Sequence, residues 1–125
     1  MNLLLDTHAL LWWLADDPKL SKEAREALSE GENMVAVSAA SAWEISIKRN
    51  LGKLKAPLNL EAEIVSNGFE TLPITLSDGL AAGSLSRHHE DPFDRMLIAQ
   101  AKARGLTVIT RDPRFSRYGV GILPA

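Results

Sequence analysis

Four acidic residues, Asp6, Glu44, Asp94 and Asp112, fall where the neighbouring sequence demands a packed core. Asp94 precedes Leu97, Ile98 and Ala101 by three, four and seven positions. On a helix that spacing puts its carboxylate at the top of the buried stripe, pointing inward or into a cleft. Asp112 follows the mostly apolar, β-branched run Leu106-Thr107-Val108-Ile109-Thr110 and Arg111, and Asp6 follows Asn2-Leu3-Leu4-Leu5. Both runs read as buried strands, so each acid stands at a strand's carboxyl end. Glu44 lies mid-helix after a further apolar run, Met34-Val35-Ala36-Val37. Three roles are open to it: a capping box with Ser41, an i,i+4 pair with Lys48, or a reach over the end of the preceding strand toward Asp6.

Carboxylates gathered on one rim repel. At an effective dielectric of about 20, two of them about 5 Å apart cost about 3 kcal/mol, a sizeable share of the stability of a small domain. A divalent cation removes that cost. Cys is absent, and His88 and His89 are adjacent, so on a helix their rings diverge by about 100° and cannot share one ion; this pair is expected in a solvated loop. An oxygen-only ligand set selects a hard ion, Mg²⁺ or Mn²⁺. Such ions polarise phosphoryl groups and activate water, which points to phosphodiester hydrolysis. The chain carries no G-x-x-x-x-G-K-[ST] loop, no G-x-S-x-G elbow and no G-x-G-x-x-G fingerprint, so NTP hydrolysis, serine esterase chemistry and dinucleotide binding lack support.

The elements that must hold these acids are marked by local signals. Asp91 is a good N-cap with Pro92 at the first helical position, and Gly105 supplies the C′ reversal of a helix through Phe93, Leu97, Ile98 and Ala101. Thr7 to Leu14 is too apolar for one amphipathic face, so part of its surface is covered by core or by a partner. Ser21 caps a short structural helix through Ala24, Ala27 and Leu28, and Ser38 ends a strand while capping a helix over Ala39–Asn50. A modest helix over Leu60–Asn67 is followed by a strand at Thr71–Ile74, placed at a sheet edge by Pro73. Ser77 and Asp78 open a helix through Leu80, Ala81 and Leu85, and Gly119–Leu123 forms a last strand. Short apolar strands alternating with helices argue for an α/β fold, a three-layer sandwich with a short, mostly parallel central sheet, whose ligand site lies beyond the strands' carboxyl ends.

At 125 residues with 46% hydrophobic content, the chain reads as one globular domain over 1–125. Lack of Cys suits a reducing, cytoplasmic setting, and neither a signal peptide nor a membrane span is expected. The net charge of −2 hides an uneven distribution. Residues 45–60 carry Lys48, Arg49, Lys53 and Lys55 without an acid, and residues 95–125 carry Arg95, Lys102, Arg104, Arg111, Arg114 and Arg117 against Asp112 alone. Basic segments thus flank the acids, either as solvated helix faces or as phosphate contacts, with Lys48, Arg95, Arg111 and Arg114 the candidates for the latter.

Four segments in this order resemble the PIN-domain ribonucleases, and among them the VapC-type toxins of toxin–antitoxin pairs: Leu3-Leu4-Leu5-Asp6-Thr7-His8, Ser38 to Ile45, Asp91-Pro92-Phe93-Asp94-Arg95 with Ile98-Ala99-Gln100-Ala101, and Thr110-Arg111-Asp112. The resemblance implies a PIN-like fold and a Mg²⁺- or Mn²⁺-dependent endoribonuclease with Asp6, Glu44, Asp94 and Asp112 as its acidic quartet. Asp6 and Asp94 are the expected metal ligands, Glu44 and Asp112 further candidates, and Thr110 a polar neighbour. The resemblance further implies an RNA substrate, a cognate antitoxin and a homodimer. Two other readings share the fold: a non-catalytic module that binds RNA or protein, and a structure-specific DNA nuclease.

Overall fold

The computed structural model describes residues 1–125. Its centre is β1 (Asn2–Leu5), paired in parallel with β2 (Met34–Ser38) on one side and β4 (Thr107–Thr110) on the other. Outside them lie β3 (Glu70–Leu72) and β5 (Ile122–Pro124), completing the order β3-β2-β1-β4-β5. Every pairing is parallel. The strand order reverses at β1, which opens a crevice at its carboxyl end between the neighbours β2 and β4.

Side-chain alternation along β1 divides the core. Leu3 and Leu5 join Val35, Val37 and Ile109 on one face, under α1 (Thr7–Leu14), α2 (Lys22–Ser29) and α4 (Leu60–Ser66). Leu4 joins Ala36 and Val108 on the other, under α6 (Pro92–Arg104) and a 3-10 helix over Pro113–Tyr118. The remaining helices are α3 (Ala39–Asn50) and α5 (Leu76–Ser84). Helix α3 supplies Ile45 to the first core and Ala40 to the second, so it crosses the rim where β2 ends. No helix is long and apolar enough to cross a membrane.

Several boundaries differ from the sequence expectation for local reasons. The edge strand β3 stops at Leu72, before Pro73, because proline cannot donate to a ladder. Helix α5 is capped by Thr75 rather than Ser77, with Asp78 completing a capping box. The segment between Asp112 and β5 forms a 3-10 helix that periodicity did not reveal. Along α1 the residues Leu11 to Leu14 are half-buried against the first core, and Trp13 donates to Asn67 at 3.0 Å. Unpartnered apolar surface lies elsewhere, at Trp43, Leu58, Leu76 and Leu80.

Asp78 braces the outer helices. Both its oxygens accept from the Arg104 guanidinium at 2.9 Å, and one also accepts from Gln100 at 3.2 Å. Arg104 holds this carboxyl well below the usual carboxylate range. Asp78→Ala removes a charged bond pair and a cap together, and is expected to lower stability by about 3 kcal/mol in urea unfolding. The sign follows from linkage: a depressed carboxyl stabilises above its unfolded pKa, and that contribution is lost as pH falls toward the folded value.

Candidate active site

Each acid reaches the rim through a short, rigid device. Asp6 is the N-cap of α1; its Oδ1 accepts from the Ala9 amide at 2.8 Å, and its own amide donates to Ile109 across the sheet. Asp94 sits in the first turn of α6, where Asp91 Oδ1 accepts from the amides of Phe93 (2.8 Å) and Asp94 (3.0 Å). The cap assigned to Asp91 is therefore present, with Pro92 at the start and Gly105 left-handed at φ 66°. Asp112 leaves the end of β4 and caps the 3-10 helix by accepting from the Arg114 amide at 2.9 Å. Glu44 projects from the second turn of α3. It pairs with Lys48 at 2.5 Å and accepts from the Thr7 hydroxyl at 2.6 Å, which lies 3.1 Å from the Ser41 hydroxyl. Ser38, not Ser41, is the α3 cap. The i,i+4 pair and the reach over the rim thus hold together, and the capping box is not formed.

These groups line one open cleft of about 310 Å³ with Asp6, Thr7, His8, Glu44, Asp91, Asp94 and Asp112 around it, and Lys48, Arg111 and Arg114 at its edge. A larger groove of about 510 Å³ beside α4 and β3 holds only Glu61 among titratable groups, so the chemistry resides in the smaller cleft. Burial pushes Asp94 up to about 7, with repulsion from Asp91, Asp6, Glu44 and Asp112 adding to it. Asp6 is also raised by burial, opposed by the Thr110 hydroxyl and the Ala9 amide. Asp112 goes the other way, to about 2, because the Arg114 guanidinium holds it ionised. The Glu44 carboxylate in turn raises Lys48, keeping it cationic. Thr110 is buried, accepts from the Asp112 amide at 3.1 Å and faces Asp6. This donor set is rich in oxygen and short of positive charge, and two of its acids resist ionisation as they stand. A divalent cation fits both facts.

Two expectations are corrected. Arg95 does not face the cleft: its guanidinium donates to the carbonyls of Ala82, Leu85, Ser86 and His89 at 2.8 to 3.1 Å, tying α5 and the following loop to α6. Its fork is thereby occupied by backbone. His89 is not solvated. His88 is exposed, but His89 is 2% exposed, and its Nε2 lies 2.8 Å from Asp94 and 3.1 Å from Asp112. No periodicity marks a loop histidine as buried, because loop side chains follow contacts made far along the chain. Thr7 was likewise invisible as a partner for Glu44, since 37 residues separate them. Arg111 lines the cleft with its guanidinium 4.5 Å from the Trp12 ring, while also donating to the carbonyls of Lys19 and Ala125.

Comparison with known proteins agrees with this arrangement. The family model described as PIN domain matches residues 3–121. The chain is 30% identical to Ribonuclease VapC22 from Mycobacterium tuberculosis over 120 residues, covering 94% of this chain and 92% of that protein. Among solved structures, VapBC2 from Rickettsia felis bound to a promoter DNA fragment superposes with a TM-score of 0.72 at 16% identity, covering 98% of each chain. VapBC from Salmonella typhimurium bound to DNA gives a TM-score of 0.65 at 22% identity, covering 98% of this chain and 97% of that one. At those identities the two structures speak to the fold alone. The parallel sheet with its acidic crevice, the family match over nearly the whole length and the VapC relative together mean that the chain belongs to the PIN domain family, as a relative of the VapC ribonucleases.

Proposed function

We propose that this chain, as a single PIN domain over 1–125, is a Mg²⁺- or Mn²⁺-dependent endoribonuclease and the toxin of a toxin–antitoxin pair. The observation that carries the reading is the convergence of Asp6, Glu44, Asp94 and Asp112 in one cleft, with burial and mutual repulsion pushing Asp94 up to about 7. The VapC22 ribonuclease, alike over nearly its whole length, supports RNA as substrate.

Asp6 and Asp94 would hold the cation, with Glu44 and Asp112 completing the set. A bound Mg²⁺ or Mn²⁺ supplies Lewis acidity to the phosphate and lowers the pKa of a water. The protein's own groups do the rest. Thr7 and Lys48 fix the two oxygens of Glu44. Asp112 stays ionised and can accept a hydrogen bond from an attacking water, aligning it with the phosphate. Arg111, Arg114 and Lys48 give the anionic backbone its electrostatic footing.

The test is cleavage of a labelled structured RNA, and of DNA of the same sequence, with Mg²⁺ or Mn²⁺, with chelator and with Asp6→Asn. Cutting of RNA that needs both metal and Asp6 supports the reading. Metal-independent cutting, or cutting of DNA alone, overturns it. On the same footing, Arg111→Ala and Arg114→Ala are expected to weaken RNA binding and to reduce the slope of log affinity against log salt by about 1 each. Arg95→Ala should leave that slope unchanged and instead lower the melting temperature.

The partners belong to the same proposal. The exposed side chains of Trp43, Leu58, Leu76 and Leu80 and the apolar groove beside α4 suit a covering protein, either an antitoxin segment or a second copy. Sedimentation of the purified chain as a monomer at all concentrations would remove the homodimer.

A further inference from the structure

His89 has every polar atom engaged. The Asp91 amide donates to its Nδ1 at 3.2 Å. A ring nitrogen that accepts carries no proton, so the neutral imidazole holds its proton on Nε2; the other tautomer would set two N–H groups face to face. The Nε2–H then hydrogen-bonds Asp112 Oδ2 at 3.1 Å, and Asp94 Oδ2 lies 2.8 Å from the same nitrogen.

The ring is held from every side. The Tyr118 hydroxyl accepts from the amides of His88 (3.0 Å) and His89 (2.8 Å) and donates to the Ser86 carbonyl at 2.6 Å. Arg95 binds the His89 carbonyl at 3.0 Å. Phe115 meets the ring edge-on, with centroids 5.9 Å apart at 82°. Tyr118 and Phe115 come from the 3-10 helix and Arg95 from α6, and all serve to deliver one N–H to one place.

His89, Asp94 and Asp112 bring their ligand atoms within 4.8 Å of one another, the spacing of a three-ligand metal site. The hydrogen bonds argue otherwise. For Nε2 to bind a cation it would have to give up its proton and its bond to Asp112, with Nδ1 already facing a donor.

We propose that His89 is a positioning residue and not a ligand: its neutral Nε2–H bonds Asp112 beyond β4 while the same nitrogen abuts the Asp94 carboxylate on α6, a clamp that fixes the spacing of the two. Being neutral, the clamp sets the spacing of the two acids without cancelling the charge that Asp94 offers a divalent cation, while Asp112 is already paired with the Arg114 guanidinium. A Lys or Arg there would compete with the cation. Asp94 Oδ1 has no donor from the protein and is left for the cation. This role rests on the metal reading for its effect on affinity, while the tautomer stands apart from it.

The test uses the full chain. Ring ¹⁵N spectra of metal-free protein should show Nε2 protonated and Nδ1 unprotonated, and Mg²⁺ should leave that pattern intact. Titration with Mn²⁺ should show affinity about 10- to 100-fold weaker in His89→Leu, as for the loss of other outer-sphere partners, but within about threefold of wild type in His89→Gln, whose amide retains a donor near the Nε2 position. Should His89→Leu fail to fold, the spectra and His89→Gln decide. An Nδ1–H tautomer, loss of the Nε2 proton on adding Mg²⁺, unchanged affinity in His89→Leu or a more than tenfold loss in His89→Gln would each overturn the clamp. Absence of Mn²⁺ binding to the wild type would sink the metal reading instead, leaving the metal-free tautomer to decide the clamp.

Discussion

Asp94→Asn is expected to lower metal-dependent RNA cleavage by at least about a thousandfold in kcat/KM, about 4 kcal/mol of transition-state stabilisation. The reason is geometric and electrostatic together. Asp94 meets the cleft from the first turn of α6, where burial and the charges of Asp91, Asp6, Glu44 and Asp112 already press on it. An amide there keeps the shape but removes the charge that pulls in a cation. RNA affinity in chelator should change little or rise, because one negative charge has left the path of the phosphates. Single-turnover cleavage at saturating RNA separates the two effects. Retention of more than a tenth of wild-type metal-dependent activity would show that Asp94 is not a ligand.

The second expected result is a stability profile that bends the unusual way. In metal-free protein, Asp94 titrates near 7 in the folded chain and near about 3.9 in the unfolded one. Between those values the folded state binds the extra proton, so stability falls as pH rises from about 4 to 7 and levels off above. The full difference corresponds to an upper bound of about 4 kcal/mol, shared in practice among coupled acids. Asp112 contributes with opposite sign in a lower window: its carboxyl, held at about 2 by Arg114, stabilises above the unfolded value and loses that effect as pH drops toward 2. Metal-free protein should therefore be most stable near pH 4 to 5. Saturating Mg²⁺ should raise the melting temperature far more at pH 8 than at pH 5, since protons and cation compete for the same oxygens. Asp94→Asn should flatten the metal-free profile and be more stable than wild type at pH 8 by on the order of 2 kcal/mol. A wild-type profile flat from pH 5 to 8 would remove the argument. Gain of stability with loss of function is the signature of an acid retained for chemistry.

Much of this arrangement was legible from residue order. The strands that carry Asp6 and Asp112 announce themselves as apolar runs, and a parallel α/β sheet brings such carboxyl ends to one rim. Asp94 was separable from Asp91 because the helix start needs the Asp91 side chain as its cap, whereas Asp94 falls in register with the buried stripe. Glu44 was visible only as a set of alternatives, two of which coexist in the fold.

Local chemistry accounts for the caps at Ser21, Ser38 and Asp91, the stop at Gly105 and the edge character of β3, because each depends on residues within a turn of one another. Contacts between distant segments account for the rest. The His89 loop is set by Tyr118 and Arg95, Glu44 is paired to Thr7 across 37 positions, and Asp78 to Arg104 across 26. No short-range pattern encodes which cation will turn its fork onto backbone carbonyls away from the cleft, as Arg95 does, and which will take its place in the cleft wall, as Lys48, Arg111 and Arg114 do. The acids were therefore placed by pattern, whereas the clamp that spaces them and the cations that flank them exist only once the chain has closed on itself.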